Sequence, residues 1–184
     1  MLEALVIIFA IVTIGSFSWG LRGHFRAPDG MPKGMQALTA VSGLAGLLLV
    51  FLTLRNGVEL PETLGFVAMS LLALSLFWWA VETTRRRPPH VAHSGKDPDT
   101  LYEDGPYAYV RHPFYLAYCL FWVGSAIAVG GHQWLVAAFL VIWYYVTSRR
   151  EETHFLRSSM AGSYSEYRRR TGMILPKVHR IRHR

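Results

Sequence analysis

The stretch TLGFVAMSLLALSLFWWAV at residues 63–81 holds no charged side chain, and Arg85, Arg86 and Arg87 follow directly behind it. At ~1.5 Å per residue a helix over these positions spans about 28 Å, close to the ~30 Å hydrocarbon core of a bilayer. Such a run, flanked by arginines, predicts a membrane-crossing helix with its basic end in the cytoplasm.

Similar blocks lie on either side. A polar turn containing Asn56, Gly57 and Pro61 separates it from an apolar block at 35–54, and a further block occupies 2–19. The first block has no Lys or Arg before it and no small-x-small cleavage pattern after it, so a retained helix is expected rather than a signal peptide. Arg22, Arg26 and Lys33 sit among glycines and prolines at 20–34, which is loop chemistry. Downstream, the polar stretch from Arg85 to Gly105 reads as a cytoplasmic connection. Two shorter apolar blocks follow at 114–129 and 134–147, split by Gly130, Gly131 and His132. Each spans only about 21–24 Å, so a short helical hairpin, tilted or shielded by longer helices, is expected. From Ser148 onward the chain is polar and basic, with helix-compatible stretches at 149–157 and 164–170, and the residues after Lys177 are expected to fray.

The fold class is therefore all-α: a polytopic membrane protein of about five transmembrane helices, whose cytoplasmic loop and tail share one face. Residues 1–99 form a three-helix region with its loop, and 100–184 a second region of the same membrane domain. Of the 184 residues, 17% are charged and 52% hydrophobic, collected into blocks as a membrane protein collects them. The net charge of +7 sits beside the apolar blocks, where it suits anionic lipid head groups rather than nucleic acid. Cys119 stands alone, so no intrachain disulfide forms. The distribution of Lys and Arg puts the amino terminus outside and the carboxyl terminus in the cytoplasm.

Three constellations carry chemistry. The string from Gly105 to Tyr115 runs from a polar loop into an apolar helix. Pro113 suits that helix's first turn, which leaves Arg111 and His112 at an N-terminus that favours an anion such as a carboxylate. Tyr107, Tyr109 and Tyr115 fit either a ligand site or an interfacial aromatic belt. Next, Arg149, Arg150, Glu151 and Glu152 follow the last apolar block. The two carboxylates serve either a ligand's ammonium or ribose hydroxyls, or form a helix turn neutralised by the neighbouring arginines. Last, Tyr164 and Tyr167 share one face of a surface helix, as an interfacial anchor does. His90 and His93 have no cysteine or adjacent carboxylate to complete a metal set, and no metal site is expected. No glycine-rich phosphate loop, serine elbow or zinc-protease signature is present.

In this order, Gly105-Pro106-Tyr107, Arg111-His112-Pro113 with Tyr115, Glu151-Glu152, and Tyr164 with Tyr167 before Leu175-Pro176 resemble the isoprenylcysteine carboxyl methyltransferase and phospholipid methyltransferase superfamily. The likeness covers about 100–176. It implies a membrane-embedded methyltransferase that uses S-adenosylmethionine and acts on a lipophilic or lipid-modified acceptor: a prenylcysteine-like carboxylate, a phospholipid amine or a small thiol. A prokaryotic inner membrane is the expected setting, and the Lys and Arg distribution puts the cofactor site on its cytoplasmic side. By the same likeness Leu101, Tyr102, Tyr107, Arg111, His112, Pro113, Tyr115, Glu152, Tyr164 and Tyr167 are expected to bind the cofactor. With an amine acceptor, Glu151 or Glu152 is expected to assist as a base, and Glu151 is the catalytic candidate of the two. An arginine that the prenylcysteine enzymes tie to substrate is replaced here by Ser148, so Arg149 next to it is expected in that catalytic role. Membrane sterol reductases, which use NADPH, share a similar pattern, but they follow His-Pro with Asn-Tyr where this chain has Phe114 and Tyr115. A third reading is a non-enzymatic module whose tyrosines and arginines anchor helices.

Overall fold

A computed structural model describes residues 1–95 and 98–177; the stretch after Lys177, expected to fray, lies outside the described residues. The helices are α1 (Leu2–Gly23), α2 (Lys33–Asn56), α3 (Leu60–Thr84), α4 (Pro113–Val129), α5 (His132–Arg157) and α6 (Ala161–Arg170), with a 3-10 turn at Gly105–Ala108 before α4. Among the described residues there is no strand, only two isolated bridges. α1, α2 and α3 are long and apolar enough to cross a membrane, and α4 is a shorter apolar helix. The protein is thus the all-helical, polytopic membrane protein that its hydropathy predicts.

The short α4 is tolerated because the other helices surround it. Eleven of its 17 residues are buried, so its backbone and side chains meet protein rather than lipid. α3 packs along it closely, since a Cβ on Gly124 would come within 2.7 Å of Met69; a small residue at such a crossing lets two helices approach. Phe66, Phe77 and Phe121 are fully buried between α3 and α4, and Phe17 of α1 reaches Tyr118 edge-on at 4.6 Å. On the outer faces large apolar residues stay exposed, Leu47 at 69% and Leu135 at 71%. That exposure suits contact with lipid.

α4 and α5 form the expected hairpin, but α5 is longer than its apolar block. Gly130 and Gly131, both at positive φ (62° and 51°), turn the chain after α4, but no glycine or proline interrupts the next 26 residues. The helix therefore runs about 39 Å, through its apolar part ending near Thr147 and on beyond the apolar zone. Glu151 and Glu152 ride this rigid extension instead of a separate tail helix.

The loop between α3 and α4 is fixed to the α1–α2 connection. Arg26 and Val91 donate backbone hydrogen bonds to Pro89 and Arg26 carbonyls, both at 2.9 Å, and the Arg26 guanidinium donates to Asp99 at 2.7 Å. The tail is fixed to the start of α4: the Arg111 N–H donates to the Gly172 carbonyl at 2.8 Å and the His112 N–H to Met173 at 3.1 Å. Gly172 allows this, because a Cβ there would collide with the Leu175 carbonyl at 1.8 Å.

Candidate active site

The start of α4, the extension of α5 and helix α6 converge on one polar cluster. Pro113 occupies the first turn of α4, where its missing N–H leaves no bond unmade. The Arg111 Nε donates to Glu152 Oε1 at 2.7 Å, and its Nη2 lies 2.6 Å from the same oxygen. Its third nitrogen donates to the Thr171 carbonyl. Arg168 of α6 stands 3.6 Å from the other Glu152 oxygen. Both Arg111 and Glu152 are almost fully buried.

Burial pushes the Glu152 carboxyl up, but the neighbouring His112 and Arg111 outweigh it and hold the group down at about 2. The folded value lies below the ordinary 4.5. The pair therefore stabilises the fold fully above about pH 5, and that contribution is lost as the pH falls from there toward 2. Unfolding midpoints measured at neutral pH and at about pH 3 should differ accordingly, and Glu152→Gln should flatten the difference.

Glu151 faces another way. Its Oε1 accepts a hydrogen bond from the Tyr115 hydroxyl at 2.6 Å, and its Oε2 lies 3.6 Å from His112 Nδ1. The side chain keeps 36% of its surface and lines a cavity. Burial pushes its carboxyl above the usual range, more than His112 and the Tyr115 bond pull it down. The His112 ring stands between the two carboxylates, 3.7 Å from Glu152 through Nε2, and that buried nitrogen has no hydrogen-bond partner among the described residues.

The cavity has a volume of about 530 Å³, within the ~300–1,000 Å³ range of small-molecule sites. One pole is polar and aromatic, lined by Tyr102, Tyr107, His112, Tyr115, Glu151 and Tyr164. The part of the lining that α1 and α2 supply is apolar, with Ile14, Phe17, Leu21, Met35 and Leu38. Tyr102 and Tyr107 face one another with ring centroids 5.3 Å apart. Tyr167 donates its hydroxyl to the Tyr107 carbonyl at 2.6 Å, and Tyr164 stacks on Phe155 at 4.6 Å. The two tyrosines of α6 thus wall the cavity instead of lying out on a membrane surface.

Of the residues singled out in the sequence, Leu101, Tyr102, Tyr107, Arg111, His112, Pro113, Tyr115, Glu151, Tyr164 and Tyr167 all line this space. Three placements differ from expectation. Arg111 is not free for a ligand carboxylate, because Glu152 and the Thr171 carbonyl occupy its guanidinium. Glu152 lies behind the wall rather than on it, and it is neutralised by Arg111 and Arg168, not by Arg149 or Arg150. Arg149 is exposed and off the cavity, whereas Arg150, one residue along the helix, lines it. His93, His154 and Phe155 also line the space without having been read as site residues. For the last two the signal was present, since they follow Glu151 at helical spacings of three and four. Among the described residues no cluster of three metal-ligating side chains occurs.

Residues 64–161, just over half of the chain, match the phospholipid methyltransferase family. The chain belongs to that family. Its match runs from α3 to the start of α6 and so contains His112, Glu151 and Glu152. Among curated relatives, the protein-S-isoprenylcysteine O-methyltransferase of Schizosaccharomyces pombe is 31% identical over 91 residues, which are 48% of this chain and 39% of that protein. The protein of the same name from Saccharomyces cerevisiae is 27% identical over 101 residues, 54% of this chain and 42% of the relative. The cobalt-zinc-cadmium resistance protein CzcN of Cupriavidus metallidurans is 30% identical over 117 residues, 63% of this chain and 49% of that protein. The chain thus spans less than half the length of the relatives it matches.

Proposed function

We propose that the chain transfers the methyl group of S-adenosylmethionine to a lipid-soluble acceptor, at the cytoplasmic face of a prokaryotic inner membrane. The observation that carries the reading is the single cavity that joins the His112–Tyr115–Glu151 cluster to the apolar wall of α1 and α2. A polar pole suits a charged, water-soluble donor, and an apolar pole suits an acceptor delivered from lipid. The family and the methyltransferase relatives support the same reading. So does the Lys and Arg distribution, for the orientation.

The residues present fit the donor. When bound, S-adenosylmethionine supplies an electrophilic methyl group on a cationic sulfur. Glu151 offers a cavity-facing carboxylate for an ammonium. The His112 ring lines the cavity between the two carboxylates, where the donor's amino-acid end can lie. Tyr102 and Tyr107 provide paired rings beside which a purine can lie, and Tyr115 and Tyr118 offer faces to a cation. Leu101, Pro113, Tyr164 and Tyr167 shape that pole. Arg111 in the wall and Glu152 behind it hold the start of α4 to α5 and α6 so that His112 and Glu151 keep their places. Catalysis then rests on orienting the acceptor and keeping water out. A carboxylate or thiolate acceptor needs no base. An amine or thiol has to lose a proton, and Glu151, pushed up by burial, is the group that takes it.

Calorimetric titration of the purified chain with S-adenosylmethionine and, separately, NADPH tests the cofactor. Binding of the first alone, weakened about tenfold or more by His112→Ala, is the expected result. Binding of NADPH alone would favour the reductase reading.

A further inference from the structure

The cavity stops at one depth on each of the four long helices that line it. Counted inward from the end of the bundle that carries His112 and Glu151, the lining of α4 runs from Tyr115 to Trp122, and that of α5 from Glu151 to Tyr144. On α1 it runs from Leu21 to Ile14, and on α2 from Met35 to Gly43. At ~1.5 Å per residue each of these stretches is about 10–12 Å long. Beyond that level the helices close on one another. Ile14 lies against α2, where a Cβ on Gly46 would come within 2.9 Å of its Cδ1, so the missing side chain at position 46 lets α1 and α2 meet. Trp122 donates its indole N–H to the Tyr144 hydroxyl at 3.2 Å, which joins α4 to α5 at the same level. Leu49, Ala126 and Leu140, farther along α2, α4 and α5, are fully buried and lie outside the lining.

The cavity therefore has a floor, and the depth of that floor below Glu151 is a length a substrate has to fit. Between the two the wall offers a hydrocarbon chain Phe17, Leu38 and the ring of Tyr118. An extended chain advances ~1.2 Å per bond, so about 8–10 bonds cover the distance from Glu151 to the floor. A sixteen-carbon chain needs about 18 Å and overruns it.

We propose that this floor sets the length of the acceptor: the protein methylates molecules whose apolar part is no longer than about ten to twelve carbons, with Trp122 and Ile14 as the specificity-determining residues. This rests on the methyltransferase reading. A chain that just reaches the floor buries its methylenes against protein with its reacting atom beside the donor. A longer one has to fold back or hold that atom away from the methyl group, and either loss slows transfer.

The test uses the full chain in nanodiscs of zwitterionic lipid and follows label from methyl-labelled S-adenosylmethionine into straight-chain thiols, amines and fatty acids of six, eight, ten, twelve and sixteen carbons. Each is supplied at the same mole fraction in the bilayer, so that partitioning into lipid is not read as specificity. In whichever series is methylated, the rate should rise with length to about ten or twelve carbons and fall about tenfold or more by sixteen. Gly43→Leu should move the maximum down by two carbons or more. Gly43 is the deepest lining residue of α2 and a Cβ there would meet nothing within 4 Å, so the larger side chain takes up cavity space without a clash, at a helical position that favours leucine over glycine. Trp122→Ala should move the maximum up, toward the sixteen-carbon acceptor. A rate that keeps rising through sixteen carbons, or a maximum that Gly43→Leu leaves in place, would overturn the proposal. An unmoved maximum in a folded Trp122→Ala would take the floor away from Trp122, and if that variant does not fold, Gly43→Leu alone decides. No label at any length in any series would overturn the proposal as well, and calorimetry with S-adenosylmethionine would then tell whether the methyltransferase reading falls with it, a result distinct from transfer without a length limit.

Discussion

Replacing Glu151 by Gln should lower the rate of methyl transfer by about a hundredfold or more to an amine or thiol acceptor, the range expected for loss of a positioned acid or base. The substitution keeps the size of the side chain and a hydrogen-bond acceptor for the Tyr115 hydroxyl, which reaches Glu151 at 2.6 Å. It removes the charge facing the cavity. Among the described residues no arginine pairs with Glu151, whose neighbours are Tyr115 and His112 at 3.6 Å, so the unfolding temperature should stay close to that of the unaltered chain. The measurement is product formed per unit time at saturating S-adenosylmethionine, taken beside a thermal unfolding curve. A rate within a few-fold of the unaltered chain's would remove Glu151 from the mechanism.

The neighbouring residue should behave in the opposite way. Glu152→Ala strands the buried Arg111 guanidinium, which now lies 2.6 Å from the Glu152 carboxylate. Breaking a buried ion pair from one side costs about 3–5 kcal/mol, mostly for the charge left behind. Arg168, 3.6 Å from the far Glu152 oxygen, loses a partner as well, but at the surface, where the loss is small. The expected result is a large drop in unfolding free energy, with activity falling because the folded population falls. Removing both partners together, as Arg111→Met with Glu152→Leu, should cost less than the sum of the single changes. If the single and double variants are additive, the pair is not the brace described here.

These contrasting roles for adjacent glutamates show where sequence reasoning reaches and where it stops. The apolar blocks at 2–19, 35–54 and 63–81 each carry a helix of the observed fold, because lipid exposure demands uninterrupted apolar side chains. Pro113, Gly130 and Gly131 mark the ends of α4, because backbone constraints are local. The helix-compatible stretch at 149–157 proves continuous with the apolar one before it, since only the polarity changes at Ser148 and not the helical propensity. Which of Glu151 and Glu152 faces the cavity was not readable, as it depends on the rotation of α5 against α4. The engagement of Arg111 by Glu152 hinges on a tail whose Gly172 carbonyl pairs with the Arg111 N–H across sixty-one positions. A single sequence carries no periodic sign of such a contact. Tyr164 and Tyr167 show the same limit, because an interfacial anchor and a cavity wall require the same amphipathic aromatic residues.

The most direct measurement of the central claim is label transfer. The chain in nanodiscs is incubated with methyl-labelled S-adenosylmethionine and dodecanoate, dodecylamine or dodecanethiol, and the label is followed into the organic phase. The account predicts label in at least one methylated amphiphile, with the amount cut about a hundredfold by His112→Ala and Glu151→Gln together. Absence of label in every amphiphile, with no binding of S-adenosylmethionine to the same preparation, would contradict it.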